Sequence, residues 1–429
     1  MKLLPEIEFL NTLTDFGIKL GLDKTKYLLK KFGNPHQKYT SILITGTNGK
    51  GSVARTLANI LTVAGYKTGL YTSPHLVYVG ERIAVDGRQI PEEELVCKIR
   101  HLQKVLADQP HHLYPTFFEA LTVIAFSYFV DKKIDILVCE VGMGGRFDAT
   151  NVLPSSLEII TKIGFDHMQY LGNTYQEIAN EKAGIIKQGT VVVSSRQKPP
   201  TMSVIIRKAK EKGAKLYCEG RDFHSKRIYF TPYGQAFNFY GRTRNLRGIK
   251  TPLQGRHQIS NMAVVCQSVL LLDKMGFNIK EEAIYKGIET TYWPCRFQIL
   301  NKDPYIIIDG AHNPDGIRTL LDTLAELFPD KKFSFLMGIL KDKDWKKMLS
   351  LVLNSKNMEE IIFTTPDSER AISPDVLASF VLKKQNRIPA KVINTPSLAL
   401  KYIRGTRKNW CICGSLYLCG DIMREEEIL

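Results

Sequence analysis

The stretch Ile42-Leu43-Ile44-Thr45-Gly46-Thr47-Asn48-Gly49-Lys50-Gly51-Ser52 constrains this chain more than any other. A short apolar run ends in a Gly-rich turn, and a helical pattern follows from Val53 to Ala64. Strand, loop and helix in that order make an anion site. The glycines let several backbone N–H groups converge on one anion, and the helix N-terminus adds its partial positive charge. Lys50 supplies a full charge for outer phosphates, and the hydroxyl of Ser52 or Thr47 is placed to touch a magnesium ion. The run G-T-N-G-K-G-S departs from the common nucleotide loop G-x-x-x-x-G-K-[ST]. The alternative is a plain Gly-rich turn with an incidental Lys, but strand, turn and helix are all in place around it.

A chain of 429 residues exceeds the size at which single cores stop growing, so two domains are expected. No apolar run approaches the roughly 20 residues that span a bilayer. The N-terminus reaches Glu6 and Glu8 before any long apolar core, unlike a signal peptide. The 8 cysteines include no C-x-x-C pair, and Cys411 and Cys413 alternate in a strand-like run. Reduced, buried thiols and a cytoplasmic protein are expected. The net charge of +16 calls for an anionic partner. Nucleic acid is one candidate, but Lys and Arg are spread along the chain. Their densest group, Arg242, Arg244, Arg247 and Lys250, sits in a loop-like stretch with no recognition helix or RNP-type pattern. ATP and a poly-acidic small substrate suit the charge equally well, and much of the excess is solvated surface Lys.

Residues 5–32 read as two helices with Gly17 and Gly21 between them. Only 45 residues precede Gly46, too few for a separate α/β domain. Lys67 to Tyr71 reads as a strand running into Thr72-Ser73-Pro74-His75 and Glu81-Arg82-Ile83, with Pro74 ending it. A polar loop past a strand's carboxyl end is where open α/β sheets place ligands. Ser73 is therefore a candidate metal or phosphate contact, with an ordinary turn serine equally compatible. Residues 91–107 and 116–133 read as helices. Ile136 to Glu140 is a buried-type strand ending in a carboxylate, as a magnesium-side acid requires. Gly142 to Asn151 is too Gly-rich and polar for core and reads as a binding loop. Leu157 to Ile163 reads as a strand leading to Asp166-His167, which makes His167 a third polar group at the same sheet edge.

Thr174 to Ile186 reads as a helix with Thr174 and Glu177 in a capping box, and it carries Glu181-Lys182-Ala183-Gly184. On this pattern alone Lys182 is an ammonium paired with Glu181 or Glu177 on a solvated face. Val191 to Ser194 reads as a strand, Thr201 to Lys212 as a helix and 215–250 as β-like and loop-rich. Helices follow at 258–275 and 280–289. Trp293 to Phe297 marks a boundary between domains 1–295 and 296–429, beyond which the strand–helix pattern restarts. Strands are expected at 305–309, 333–337, 361–364, 392–394 and 410–413. There is no G-x-G-x-x-G fingerprint and no 20–50-residue repeat.

The motifs Thr45 to Ser52, Tyr71-Thr72-Ser73-Pro74, Glu140-Val141-Gly142-x-Gly144-Gly145, Asp166-His167, Lys182 to Lys187, Asp309 to Pro314 and Gly414-Ser415-Leu416-Tyr417 run in order through nearly the whole chain. Together they resemble the folylpolyglutamate synthases of the Mur ligase superfamily. The resemblance implies an α/β fold: an N-terminal phosphate-loop ATPase-type domain with a mostly parallel sheet and a small β-rich region, and a C-terminal Rossmann-like domain. It implies ATP-dependent addition of L-glutamate to the γ-carboxylate of folate through an acyl phosphate. ATP would lie on Thr47, Asn48, Gly49, Lys50, Gly51 and Ser52, with Asn261, Arg296 and Asp309 across the cleft. Magnesium, as two ions, would be held by Ser73, Glu140, His167 and a carbamylated Lys182. Lys50, Lys182 and His312 would be catalytic, and Arg82, Arg146, Asp148, His312 and Ser415 would meet folate or glutamate.

Muramyl ligases usually carry a whole domain before the nucleotide loop, which this chain has no room for. The loop Gly144 to Thr150 resembles the version in enzymes that also make dihydrofolate from dihydropteroate, with Asp148 as the pterin contact, since a carboxylate suits adjacent N–H donors. The expected protein is a monomer with no nucleic-acid or membrane partner. Rival readings are a nucleic-acid-dependent phosphate-loop ATPase, another Mur-type amino-acid ligase and a non-catalytic nucleotide-binding scaffold. The scaffold leaves Glu140, His167, Asp309 and His312 unexplained.

Overall fold

Thr40–Thr45 is the strand on which the first half of the chain is built. It pairs in parallel with Ile136–Glu140 on one side and Leu157–Ile160 on the other. Unbroken apolar runs are what strands covered on both faces need. Ile42 and Ile44 face the layer containing helices Lys50–Val63 and Arg256–Lys274, while Leu43 faces the layer containing helix Phe117–Asp131, as the two-residue strand period dictates. In the computed structural model, residues 4–16, 21–107, 109–110, 113–384 and 388–426 are described, so Gly17 lies outside the described residues.

Among the described residues this sheet has eight strands, in the order Arg88–Gln89, Ile83–Val85, Thr68–Tyr71, Ile136–Glu140, Thr40–Thr45, Leu157–Ile160, Val191–Ser194 and Lys215–Cys218. The last six run parallel, and the first two add an antiparallel edge. That edge is too short to announce itself: one strand has three residues and the other two, both exposed. The strand read through Ile163 stops at Ile160, because the following backbone serves the Gly-rich loop instead. Thr47 and Asn48 N–H both donate to the Lys162 carbonyl. The helix read through Ile186 ends at Ala183, and its Thr174–Glu177 capping box forms as expected.

Phe223–Thr231, Gly234–Gly241 and Asn245–Thr251 make a separate antiparallel sheet. Its Phe237, Phe239, Leu246 and Ile249 pack into the same core as helix Arg256–Lys274. The basic group read as loop-like lies on its last hairpin. Arg242 pairs with Asp222 at 2.5 Å and Arg244 with Glu281 at 2.6 Å, so neither charge is idle.

A third sheet has six strands among the described residues, in the order Gln298–Lys302, Tyr305–Ile308, Trp410–Cys413, Phe333–Met337, Met358–Phe363 and Ala390–Val392. All are parallel except the first. Gln298–Lys302 escaped the sequence reading because an edge strand of mixed polarity shows no apolar run. The strand expected at 392–394 lies at Ala390–Val392. Among the described residues, no helix is long and apolar enough to cross a membrane. All eight cysteines are free, but Cys97 is exposed, which corrects the expectation of uniformly buried thiols.

Candidate active site

Strand order reverses around Thr40–Thr45, so the loops after this strand and its two neighbours open on one crevice. That crevice is a cleft of about 1250 Å³ lined from both halves of the chain.

The Gly-rich loop forms its floor. Gly46 has φ 147° and Gly49 φ 93°; a Cβ at Gly46 would overlap the Thr161 side chain, and one at Gly49 would meet the Asn261 amide at 2.6 Å. Only glycine fits either place. Lys50 opens the helix, Gly49 offers no side-chain cap, and the first-turn N–H groups are left for a ligand. Lys50 Nζ lies 3.9 Å from Glu140 Oε1 and 3.4 Å from the Thr47 carbonyl. The Thr47 hydroxyl, a candidate for magnesium, is committed instead to Gly164, donating to its carbonyl and accepting from its N–H at 3.0 Å each. Ser52 lines the cleft and accepts from Gln258 Nε2 at 3.3 Å. Asn261 donates to Gln258 Oε1 at 3.0 Å, which joins both to this wall.

Ser73, Glu140 and His167 stand at or beyond the carboxyl ends of Thr68–Tyr71, Ile136–Glu140 and Leu157–Ile160, and all line the cleft. The Ser73 N–H donates to Glu140 Oε2 at 3.2 Å. Burial raises the Glu140 pKa, opposed chiefly by Lys50. His167 has φ 50°, and its N–H donates to Asp166 Oδ1 at 3.0 Å. Burial pushes its pKa down to about 4; Asp166 resists, and the Lys343, Lys50 and Lys182 charges reinforce the fall. The ring is therefore neutral at physiological pH, as a metal ligand must be. Among the described residues, no three His, Cys, Asp or Glu side chains converge as a metal cluster. One hydroxyl, one buried carboxylate and one neutral imidazole fit a hard divalent cation when water or phosphate oxygens complete the set.

Lys182 departs from the solvated ion pair that its helical spacing suggested. Its side chain is buried, and Nζ donates to the Gly46 carbonyl at 2.7 Å. Glu177 is occupied by the N-terminal cap. Burial, with Lys50 adding, lowers the Lys182 pKa to about 7.

The loop after Glu140 packs tightly on this helix: a Cβ at Gly145 would meet the Lys182 carbonyl at 2.8 Å. Asp148 lines the cleft but spends its carboxylate within the loop, accepting from the Met143 N–H at 2.9 Å and from the Thr150 N–H and hydroxyl at 3.0 and 2.5 Å. Arg146 does not join the site. It is exposed, off the cleft lining, with its guanidinium 4.9 Å from the Phe147 ring. Phe147, which sequence reasoning passed over, lines the cleft in its place.

The C-terminal half supplies the far wall. Asp309 accepts from the Phe297 and Ala311 N–H groups at 2.8 Å each, and burial raises its pKa against the Arg296 charge. His312 Nδ1 lies 2.7 Å from the Gly310 carbonyl, and its Nε2 lies 3.7 Å from Asp166 Oδ2. Ser415 Oγ accepts from the Leu418 N–H at 3.0 Å, so it caps its helix as well as lining the cleft. Two residues to which the sequence reading gave no role tie the halves together. Lys343 Nζ lies 2.6 Å from Asp166 Oδ1, and Asn313 donates to Asn48 Oδ1 at 3.0 Å. Burial raises the Asp166 pKa, but the His312 hydrogen bond and the Lys343 charge outweigh it and hold the carboxyl well below the usual range.

The family profile described as Mur ligase middle domain matches residues 44–269, and that described as Mur ligase, glutamate ligase domain, matches residues 295–414. The chain is 34% identical over 425 residues to the dihydrofolate synthase/folylpolyglutamate synthase of Bacillus subtilis, covering 95% of each chain. It resembles the folylpolyglutamate synthase of Mycobacterium tuberculosis, solved with ADP and AMPPCP, with a TM-score of 0.88 and 31% identity over 98% of each chain. It also resembles Escherichia coli FolC, solved with DHPP and ADP, with a TM-score of 0.88 and 27% identity over 99% of this chain and 98% of that one. With the Gly-rich loop, the polar residues past the strand ends and the second sheet all in place, the chain belongs to the folylpolyglutamate synthase family of Mur ligases.

Proposed function

We propose that this chain is an ATP-dependent ligase that adds L-glutamate to the γ-carboxylate of folates and to dihydropteroate. The observation that carries the reading is the convergence on one cleft of Lys50, Glu140 and His167 from the first half with Arg296, Asp309 and His312 from the second. A carboxylate is a poor electrophile and needs a better leaving group. An acceptor carboxylate oxygen attacks the γ-phosphorus of ATP as the bond to ADP breaks, giving an acyl phosphate. The glutamate amine then forms the new C–N bond, phosphate leaves with the C–O electron pair, and the amine releases a proton. The phosphoryl step needs in-line positioning and charge neutralisation more than covalent help. Lys50 and the loop N–H groups suit that role, with Asn261 beside the loop, rather than across the cleft as the resemblance implied, and Arg296 and Asp309 holding the nucleotide from the far side. Ser73, Glu140, His167 and a carbamylated Lys182 would hold magnesium, which would further neutralise phosphate charge.

His312 and Ser415 are proposed to border the glutamate position. Two domains dividing at residues 295 and 296, with the nucleotide site between them, belong to the same reading, as does a cytoplasmic monomer. The test is direct: purified protein, Mg-ATP and glutamate, with dihydropteroate or a monoglutamyl folate, and products read by mass. Glutamyl products support the reading. ATP turnover that instead requires DNA or RNA overturns it.

Asp148 sets a further expectation. Because it shapes the loop from within, Asp148→Ala should weaken dihydropteroate use about tenfold more than glutamate addition to folate, the scale of one buried charge-assisted hydrogen bond. Kinetics with both acceptors check this, and equal losses remove Asp148 from pterin recognition.

A further inference from the structure

Arg82 ends the short helical turn Val79–Arg82, just before strand Ile83–Val85, and lines the cleft. Its Nε donates to Nδ1 of His75 at 3.0 Å. Its guanidinium carbon stands 5.1 Å from the centroid of the Phe117 ring, which lines the same cleft. Among the described residues, His75 is the only side chain that hydrogen-bonds this guanidinium. Arg82 also acts on Glu140, together with Lys50 and Arg296, so three cations from separate segments surround one carboxylate.

The choice of partner has a chemical consequence. Most arginines this enclosed are neutralised by a carboxylate. Here the partner is an imidazole, and an arginine Nε–H only donates, so Nδ1 must be a bare acceptor with the ring proton on Nε2. A ring that accepts at Nδ1 and keeps its single proton on Nε2 is the neutral imidazole, so it adds no charge of either sign beside Arg82. The imidazole fixes one nitrogen and the Phe117 ring fixes one face, yet the charge is not cancelled. The two terminal nitrogens remain, in the fork geometry that takes a carboxylate by two parallel hydrogen bonds.

We infer that His75 is a positioning residue for the acceptor substrate: it orients Arg82 without neutralising it, so that the guanidinium holds the acceptor's carboxylate beside Glu140 and Lys50. The inference rests on the ligase reading above. It accounts for how an acid is delivered to a cleft that already contains the buried carboxylate of Glu140.

The test compares three variants by their KM for dihydropteroate, KM for ATP, kcat and thermal midpoint. Asparagine places a neutral acceptor oxygen where Nδ1 stood, and aspartate places a charged one there. His75→Ala should raise the KM for dihydropteroate at least about tenfold, the scale of freeing one charge-assisted contact, with the KM for ATP within about twofold. His75→Asn should return the KM for dihydropteroate to within about threefold of wild type, less than one hydrogen bond's worth. His75→Asp should bind the acceptor no better than alanine while its thermal midpoint matches or exceeds that of wild type, because its carboxylate satisfies Arg82 and cancels it. A purely structural role predicts the opposite, with Asp rescuing as well as Asn, and that result overturns the inference. So does an unchanged KM in His75→Ala. If the alanine variant does not fold, the Asn and Asp pair decides alone. A wild-type protein that glutamylates neither dihydropteroate nor folate overturns the ligase reading and this inference with it. Glutamylation by wild type with equal Asn and Asp kinetics overturns the inference alone.

Discussion

Lys50→Ala should lower the turnover of glutamate addition by at least about a hundredfold, or about 2.7 kcal/mol of transition-state stabilisation, the scale of one preorganised charge contact. The loss belongs to the phosphoryl step, where charge on the outer oxygens is met by this ammonium and the loop N–H groups. The fold should survive, because alanine is a better helix former than lysine and the site is a helix N-terminus. A second effect separates Lys50 from a bystander. Glu140 is raised above its ordinary pKa by burial, and Lys50 is the largest force holding it down. A raised carboxyl means that the folded chain binds more protons than the unfolded one, so stability falls as pH rises through that window. Removing Lys50 raises the carboxyl further. Lys50→Ala should therefore lose more stability at pH 7 than at pH 4, measured by thermal unfolding at both. Near-normal turnover in this variant removes Lys50 from the site.

The parts of this site that were legible in the sequence share one property: each follows a buried strand. Apolar runs ending near Thr45, Tyr71, Glu140 and Ile163 point to one sheet edge, so Lys50, Ser73, Glu140 and His167 are singled out without tertiary knowledge. Lys343 carries no such mark. It lies in the mixed-charge turn Lys341-Asp342-Lys343-Asp344, which reads as solvated surface, and only the fold brings it to Asp166 across 177 positions. Arg146 failed in the opposite direction. Its motif is Gly-rich and polar, but Gly184 packs on the Arg146 Cα and Cβ, its side chain is exposed off the cleft, and its partly exposed neighbour Phe147 is the one on the cleft lining. Ser415 and Asp148 are in the cleft, yet each spends hydrogen bonds on its own cap or loop, a local use that residue type alone does not separate from ligand binding.

Lys182 shows the largest distance between pattern and environment, and it carries the second large expectation. On an isolated helix its spacing gives a solvated cation; in the fold its side chain is buried and bonded to the Gly46 carbonyl, with Gly145 packed against its backbone. A buried ammonium without a carboxylate partner is costly, and burial lowers its pKa to about 7. At neutral pH a large fraction is then free amine, the form that adds carbon dioxide. The amine nitrogen bonds the carbon, one proton is released, and the product is an anionic carbamate. The remaining N–H can keep its bond to the Gly46 carbonyl. The modification converts an unpaired buried cation, crowded by Lys50, into an anion that Lys50 attracts, so the site favours it on electrostatic grounds alone. At fixed dissolved carbon dioxide the carbamate should grow as pH rises through about 7, because the free amine does. Carbon-13-labelled carbon dioxide should give a carbamate signal in wild type that is absent from Lys182→Ala. That variant should lose at least about a hundredfold in turnover, as for other preorganised charges, while still binding ATP. A short carboxylate supplied in solution should restore part of the loss. An absent carbamate signal together with a fully active Lys182→Arg shows instead that this residue acts only as a buried cation on the phosphate loop.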